Sequence, residues 1–377
     1  MNKLTPYWMI IHLAAVLWVG CSQKNDGFTI HADIHGLPDS TQVMLQNLTT
    51  GLYIDSAMSY GGKFIFAGQV ENEPEELRII SDLQAALAGG VFFYTDLLIG
   101  NESVRTEAAL EGLPYNTTSS GSPSQAVAEA FNHERYRRQL VLDSLRNRMS
   151  LLNEEGDEAE AVQVEEKLKQ ASAAMDDWKT TYLEEHFDSY FALLQYTYRR
   201  DFETEKLRQL FKSVPEVMRL SQYGRSIQLQ LDNPVPDTGD DYHDLEAIDL
   251  HSGKTIRLSD VQNKYILLQF AGTGCYGSNL SVEAMKEQYE HYRGSVEFVS
   301  FFFEPNQTGC ESYVVEHQIP WLSLWTEGGK YGLAPSIYGI NGTPTFYLID
   351  PDRRVVDTWF GYEEGMLEAR LGTEMIH

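Results

Sequence analysis

Residues 265–285, with the sequence YILLQFAGTGCYGSNLSVEAM, constrain the fold of this chain more than any other segment. They begin with a short apolar run, Tyr265–Phe270, which is typical of a fully buried parallel strand. The Gly-Thr-Gly sequence at 272–274 ends the strand, and apolar side chains then recur at helical spacing. The pattern predicts a helix that begins near Cys275. A thiol there lies at the positive end of the helix dipole, which lowers its pKa and favours thiolate chemistry.

A second segment, residues 338–352 with the sequence YGINGTPTFYLIDPD, places Thr343 and Pro344 ahead of another apolar run. The two segments resemble the active-site helix and the cis-proline loop of the thioredoxin fold, in its extracytoplasmic TlpA/ResA-like (AhpC/TSA-like) branch. The resemblance implies that Thr343–Pro344 is a cis peptide packed beside Cys275. It covers residues 241–377 and implies an α/β thioredoxin-like domain, with a mixed sheet flanked by helices.

The chain departs from that family's pattern at the residues that carry its redox chemistry. Residues 275–278 read Cys-Tyr-Gly-Ser where the family has Cys-X-X-Cys, so Ser278 stands in place of the resolving cysteine. Gly274 replaces an aromatic residue, and Ser281 replaces a glutamate that many relatives use as a proton acceptor. The resemblance therefore implies the family's fold but not its two-cysteine mechanism.

Cys275 has three interpretations. It is a single-thiol nucleophile that forms mixed disulfides with a partner protein or a small thiol, a peroxide-reactive cysteine, or a relic on a redox-inert binding domain. The peroxiredoxin pattern Pro-x-x-x-Thr-x-x-Cys is absent, because Thr273 stands two residues before Cys275 rather than three. Ser278 can donate a hydrogen bond to a thiolate, and Thr343 offers backbone contacts to a substrate chain. The candidate catalytic residues are Cys275, Ser278, Thr343 and Pro344.

Cys310 is a candidate resolving thiol. Thr308 and Glu311 fit a capping box, which places Cys310 in the first turn of the helix after the next strand. Both thiols would then lie at the same edge of the sheet. One hypothesis is a Cys275–Cys310 disulfide, which requires Cα atoms within about 7 Å. The other is that Cys310 is a small buried side chain facing the core.

Residues 1–21 are interpreted as a lipoprotein signal peptide. Lys3 precedes an apolar stretch at 7–19, whose length is typical of a signal peptide, and Cys21 follows a small residue as in a bacterial lipoprotein cleavage site. Lipidation of Cys21 is expected, with an uncleaved anchor or a secretory signal as alternatives. The prediction is a membrane-anchored lipoprotein of the cell envelope that faces the periplasm, with the outer membrane favoured over the inner one.

Two further domains are predicted between the signal and the C-terminal domain. Residues 27–112 contain short alternating strands with Gly, Asp and Pro turns, which predicts an antiparallel β domain. The phrases YIDSA and GKFIFAG within it resemble the DUF4369 domain of Bacteroidetes-type lipoproteins. Residues 113–233 begin as a Ser/Thr/Asn/Gly linker and continue with an apolar stripe at helical spacing, which predicts a helical linker or bundle of three to five helices.

Composition narrows the possible partners. The chain has 29 lysines and arginines against 55 aspartates and glutamates, a formal net charge of −26, which argues against nucleic acid as a partner. His31 and His35 lie on a predicted strand without further ligands, so no metal site is predicted, and no cofactor motif occurs. The predicted partners are extracytoplasmic protein thiols and disulfides, and a membrane reached through the lipid anchor. The sequence leaves substrate and oligomeric state open.

Overall fold

The computed structural model describes residues 26–374, except residues 73, 82–92, 200–201 and 263. The predicted signal peptide and the predicted lipidation site Cys21 lie outside the described residues and stay predictions. None of the helices in the described ranges has both the length and the apolar character needed to cross a membrane.

The N-terminal part of the described chain is a β domain. Its strands are β1 Phe28–His35, β2 Gln42–Asn47, β3 Tyr53–Met58, β4 Lys63–Gly68, β5 Glu75–Ser81, β6 Phe93–Ile99, β7 Ser103–Ala109 and β8 Thr117–Ser120. They form two four-stranded sheets with the orders β4-β1-β7-β8 and β3-β2-β5-β6. Alternate side chains of each sheet, such as Ile30 and Leu45, meet in one buried core, as the two-residue period of a half-buried strand predicts.

Two features of this domain differ from the prediction. The strands β1 and β7 run parallel, from Thr29 opposite Ser103 to His35 opposite Ala109, whereas the other described strand pairs are antiparallel. The strand β8 lies at the start of residues 113–233, in the Ser/Thr/Asn/Gly-rich part that was predicted to be a linker. This four-residue edge strand consists of threonine and serine, so it lacks the apolar alternation by which a strand is found in a sequence.

The middle of the chain is helical, as predicted, but it has six helices in the described residues rather than three to five. They are α1 Gln125–Glu155, α2 Glu158–Glu185, α3 Tyr190–Thr197, α4 Thr204–Lys212, α5 Glu216–Arg219 and α6 Gln222–Asp232. The two long helices form an antiparallel hairpin. Gly156 ends α1 in the left-handed region at φ +74°, and the Asp157 side chain caps α2 by accepting a hydrogen bond from the Glu160 N–H.

The C-terminal domain is built around a seven-stranded mixed sheet with the order β10-β9-β13-β12-β11-β14-β15. Its elements are β9 Glu246–Asp249, β10 Thr255–Arg257, β11 Tyr265–Phe270, α7 Tyr276–Tyr292, β12 Val296–Phe302, α8 Gln307–Glu316, β13 Leu322–Trp325, α9 Leu333–Ile337, β14 Thr345–Ile349, β15 Val355–Phe360 and α10 Met366–Glu374.

This sheet confirms the predicted α/β thioredoxin-like fold. The strands β11, β12 and β13 are parallel and are joined by α7 and α8, while β14 and β15 complete the sheet in antiparallel fashion. The central strand β11 has cores on both faces: Leu267 packs with α7 and α8, and Leu268 packs with α9. Burial on both faces explains why β11 reads as a continuous apolar run.

The three parts of the molecule share one buried junction centred on Tyr223 of α6. Its hydroxyl donates a hydrogen bond to the Pro74 carbonyl of the β domain at 3.0 Å, and its ring meets Tyr331 of the C-terminal domain edge-on at 5.0 Å. The buried hydroxyls of Ser226 and Ser336 lie 2.8 Å apart across the same junction. These contacts fix the β and helical domains against the thioredoxin-like domain.

Candidate active site

Cys275 is the N-cap residue of α7, directly after the loop that ends β11. Its side chain is half-buried, and the thiol donates a hydrogen bond to the Thr343 carbonyl oxygen at 3.1 Å. The Thr343–Pro344 peptide is cis. A Cβ atom added to Gly277 would lie 3.1 Å from Pro344 Cδ and 3.8 Å from Cys275 Sγ, so the first turn of α7 packs directly on this loop. The structure therefore brings Cys275, Thr343 and Pro344 together.

Ser278 is fully buried beneath the thiol. Its hydroxyl accepts a hydrogen bond from the Gly272 N–H at 3.1 Å, which holds the loop before Cys275 against the helix. Burial raises the pKa of the Cys275 thiol. Hydrogen bonds from the side chain of Thr343, from the N–H and hydroxyl of Ser278 and from the Gly277 N–H lower it by more, so the net pKa lies below that of an ordinary cysteine.

The lowered pKa gives a prediction for the Ser278→Ala variant. Alkylation of Cys275 by iodoacetamide should be roughly three- to tenfold slower at neutral pH, because the variant lacks a hydroxyl that stabilises the thiolate. The alkylation rate rises as the pH rises through the pKa of the thiol. The pH at the midpoint of this rise should therefore be lower in the parent than in the variant. Mass spectrometry of the Cys275 peptide across pH measures both. Ser295→Ala is the control, because Ser295 is exposed, and it should leave the midpoint unchanged. An unchanged midpoint in Ser278→Ala would contradict the prediction.

A buried chain of polar side chains lies behind the start of α7. Trp321 donates to the Ser300 hydroxyl at 2.9 Å, and Ser300 donates to the Gln269 amide oxygen at 2.8 Å. Gln269 donates to Ser281 at 2.7 Å, and Ser281 donates to the Ser278 carbonyl at 2.9 Å. All five residues are buried and none is ionised. The chain stabilises the first turn of the helix but contains no group that can accept a proton from the site.

Glu304 is a site residue that was not predicted from the sequence. It follows β12, and one carboxylate oxygen accepts a hydrogen bond from the Thr273 N–H at 2.6 Å. The other faces the Cys310 thiol at 3.6 Å. Glu304 thus links the loop before Cys275 to the helix that carries Cys310. The signal that could have found it is an acid directly after a buried strand, at the edge of the sheet where functional groups gather.

Cys310 faces the core. It is 1% exposed and packs among the buried residues on the α7 and α8 face of the sheet. Burial raises the pKa of its thiol, and the nearby Glu304 carboxylate raises it further. Both Cys275 and Cys310 are free thiols, so the hypothesised disulfide is not formed in this structure. A buried thiol with a raised pKa is a poor nucleophile.

The start of α8 differs from the prediction. Its N-cap is Asn306, whose side chain accepts a hydrogen bond from the Gly309 N–H at 3.2 Å, rather than Thr308. The helix therefore begins two residues earlier than the capping box suggested. Asparagine is preferred over threonine as an N-cap residue, which favours the earlier start at Asn306.

Two exposed aromatic side chains lie on the segments that form the site. Tyr276 is 77% exposed at the start of α7, and Phe360, 68% exposed, lies against Gly342 in the cis-proline loop. A cleft of about 190 Å³ opens beside Thr343 and is lined by Phe303, Ile340, Tyr198 and Lys330, among others. In the described ranges, no cluster of histidine, cysteine and acidic side chains is arranged to hold a metal ion.

Comparison with known proteins finds relatives that are named as thiol-disulfide oxidoreductases. This chain is similar to thiol-disulfide oxidoreductases. It is 28% identical over 110 residues to the thiol-disulfide oxidoreductase ResA of Bacillus anthracis, which covers 29% of this chain and 62% of the relative. It is 26% identical over 106 residues to ResA of Bacillus subtilis, covering 28% of this chain and 58% of that one. The chain thus spans about 60% of the length of these curated relatives. No protein-family model matches.

Two solved structures align with the C-terminal part. A putative thiol:disulfide interchange protein DsbE from Chlorobium tepidum has a TM-score of 0.35 at 20% identity, over 37% of this chain and 97% of that one. The thioredoxin domain of a thiol-disulfide oxidoreductase from Bacteroides vulgatus has a TM-score of 0.32 at 19% identity, over 35% of this chain and 95% of that one.

Proposed function

We propose that the thioredoxin-like domain performs thiol–disulfide exchange through Cys275 alone and forms mixed disulfides with extracytoplasmic protein thiols or small thiols. The observation that carries this proposal is a half-exposed thiol with a lowered pKa, held at a helix start beside the cis-proline loop. Thiolate character together with access is what makes a cysteine reactive.

The exchange takes place in two steps. The Cys275 thiolate attacks one sulfur of a substrate disulfide, a new S–S bond forms, and the second sulfur leaves as a thiolate that takes its proton from solvent. An external thiol then attacks the mixed disulfide and releases the Cys275 thiolate. Ser278 and Thr343 stabilise the anion before attack and after release. An external thiol is needed because Ser278 cannot form a disulfide.

The surface around Cys275 suits an extended polypeptide partner. The backbone of Thr343 lies within hydrogen-bond reach of the thiol, which supports the proposal that a partner chain binds alongside the cis-proline loop. The exposed rings of Tyr276 and Phe360 offer apolar contacts near the thiol.

The setting of this chemistry is part of the proposal. We infer a lipoprotein of the cell envelope, anchored through Cys21 and facing the periplasm, with the outer membrane favoured. The apolar stretch at 7–19 followed by Gly20 and Cys21 supports this location. The β domain is proposed to be of the DUF4369 type, on the phrases YIDSA and GKFIFAG.

Reaction with oxidised glutathione tests the proposal. The purified protein should accumulate one glutathione adduct, located on Cys275 by peptide mass spectrometry, because no second thiol of the site releases it. Cys310→Ser should form the same adduct at the same rate. Cys275→Ser should show no detectable adduct, which means a rate at least about a hundredfold lower, because the Cys275 thiolate is the nucleophile. An adduct on Cys310, or an intramolecular disulfide, would contradict the single-thiol mechanism.

The second candidate function is a redox-inert binding module. It is favoured by the uncharged buried chain from Trp321 to Ser281, which offers no proton acceptor, and by Ser278 in place of a second thiol. This candidate predicts no adduct on either cysteine of the folded protein, so the same experiment separates the two functions.

A further inference from the structure

The loop that carries Thr343 is held on one side by the thioredoxin-like domain itself. The Thr345 hydroxyl donates a hydrogen bond to the Gly342 carbonyl at 2.7 Å. The Gly361 N–H, directly after β15, donates to the Pro344 carbonyl at 2.8 Å. These bonds act on the part of the loop that continues into β14.

Asn341 anchors the other side of this loop to the helical domain. Its side-chain Nδ2 donates a hydrogen bond to the Tyr198 carbonyl oxygen at 2.7 Å. Tyr198 is the C-cap residue of α3, and the last carbonyls of a helix have no partner within the helix. The asparagine amide supplies such a partner. The bond joins the C-terminal end of α3 to a residue two positions before Thr343.

The side chain of Tyr198 is itself fixed where the three domains meet. Its hydroxyl donates a hydrogen bond to the Glu76 carboxylate of the β domain at 3.1 Å and accepts one from the Lys330 ammonium of the C-terminal domain. The same ammonium lies 3.9 Å from Glu76 and 4.7 Å from the centre of the Tyr198 ring. Burial raises the pKa of the Tyr198 hydroxyl, which therefore stays protonated as a donor. The carbonyl that Asn341 binds thus belongs to a residue held by both neighbouring domains.

We propose that Asn341 is a positioning residue of the active site, which holds Thr343 against Cys275 by binding the Tyr198 carbonyl. Only Gly342 separates Asn341 from Thr343, whose carbonyl oxygen accepts the hydrogen bond of the thiol at 3.1 Å. Thr343 is also one of the groups that lower the pKa of Cys275. The inference rests on the proposed reactivity of Cys275 and adds that the helical domain contributes to it.

The pH dependence of Cys275 alkylation by iodoacetamide, followed by mass spectrometry of the Cys275 peptide, tests the proposal. Asn341→Leu keeps the size of the side chain but removes the donor. Alkylation should become about three- to fivefold slower at neutral pH, about the value of one hydrogen bond, because a displaced Thr343 stabilises the thiolate less. The pH at the midpoint should rise. Asn341→Gln keeps the amide donor and should lie closer to the parent in both measurements.

Asn233→Leu is the matched control. Asn233 Nδ2 also donates a hydrogen bond to a backbone carbonyl, that of Leu229 at 2.9 Å, but within the helical domain. This variant should keep the rate and the midpoint of the parent. Asn341 is exposed, so Asn341→Leu should fold, which circular dichroism checks.

Two outcomes would overturn the positioning role and leave the proposed function standing. One is an equal midpoint in Asn341→Leu and the parent, and the other is an equal shift in Asn341→Leu and Asn233→Leu. A parent protein whose Cys275 resists alkylation until it is denatured would overturn the proposed function and this inference together.

Discussion

Replacing Ser278 by cysteine is expected to convert the single-thiol site into a catalytic two-thiol site that reduces protein disulfides at least about a hundredfold faster than the parent. Ser278 is buried in the first turn of α7, and its hydroxyl contacts the Cys275 thiol closely enough to lower its pKa. A thiol at this position would attack the mixed disulfide within the same molecule. The advantage comes from proximity, since well-oriented intramolecular reactions reach effective concentrations of about 10⁵ M or more.

The measurement is the rate of insulin reduction with a small dithiol as the terminal reductant. Ser281→Cys is the matched control, because it also adds a buried cysteine to α7 but on the side that faces Gln269. That variant should stay at the parent rate. Cys275→Ser combined with Ser278→Cys should fall below the parent rate, because it lacks the accessible thiol and keeps only buried ones. Equal rates for Ser278→Cys and Ser281→Cys would show that the geometry of the first turn does not support exchange.

Replacing Tyr223 by alanine is expected to lower the free energy of unfolding by about 3–5 kcal/mol, the usual cost of removing a fully buried aromatic ring. Tyr223 is 0% exposed and contacts both flanking domains, through Pro74 on one side and Tyr331 on the other. In the variant, the three parts should also unfold in separate transitions, because the cavity left by the Tyr223 ring would lie at their junction. Tyr223→Phe keeps the ring and should cost about 1 kcal/mol, the typical value of one hydrogen bond.

Chemical denaturation followed by circular dichroism and tryptophan fluorescence measures both effects. Tyr53→Ala is the control, because Tyr53 is 57% exposed on β3 and surface substitutions usually change stability by less than about 0.5 kcal/mol. The prediction would be contradicted if Tyr223→Ala unfolded in one transition by both signals and lost no more stability than Tyr223→Phe. Tyr223 would then not hold the domains together.

Short elements were not predicted from the sequence, because their side chains show no periodic pattern of apolar residues. The strand β13, Leu322–Trp325, lies between β12 and β9 in the sheet, yet four residues are too few to distinguish a strand from a turn. The strand β8, Thr117–Ser120, exists because the backbone of β7 offers a free edge. Neighbouring strands, rather than local composition, create both elements.

The C-terminal domain was the most predictable part because its signals are local. A buried strand, a glycine break and a helical stripe are encoded within residues 265–285, and they place Cys275 at the helix start without any knowledge of the rest. The replacement of the second cysteine by Ser278 is likewise visible in the sequence alone.

The sequence by itself thus determined the thioredoxin-like fold and the position of Cys275 at the start of its helix. Only the tertiary structure decided that Glu304 links the two cysteine-bearing segments and that Cys310 faces the core. The physical reason is the range of the interactions involved. Strand and helix periods act between neighbours in the chain, whereas burial, hydrogen-bond partners and pKa depend on residues that only folding brings together.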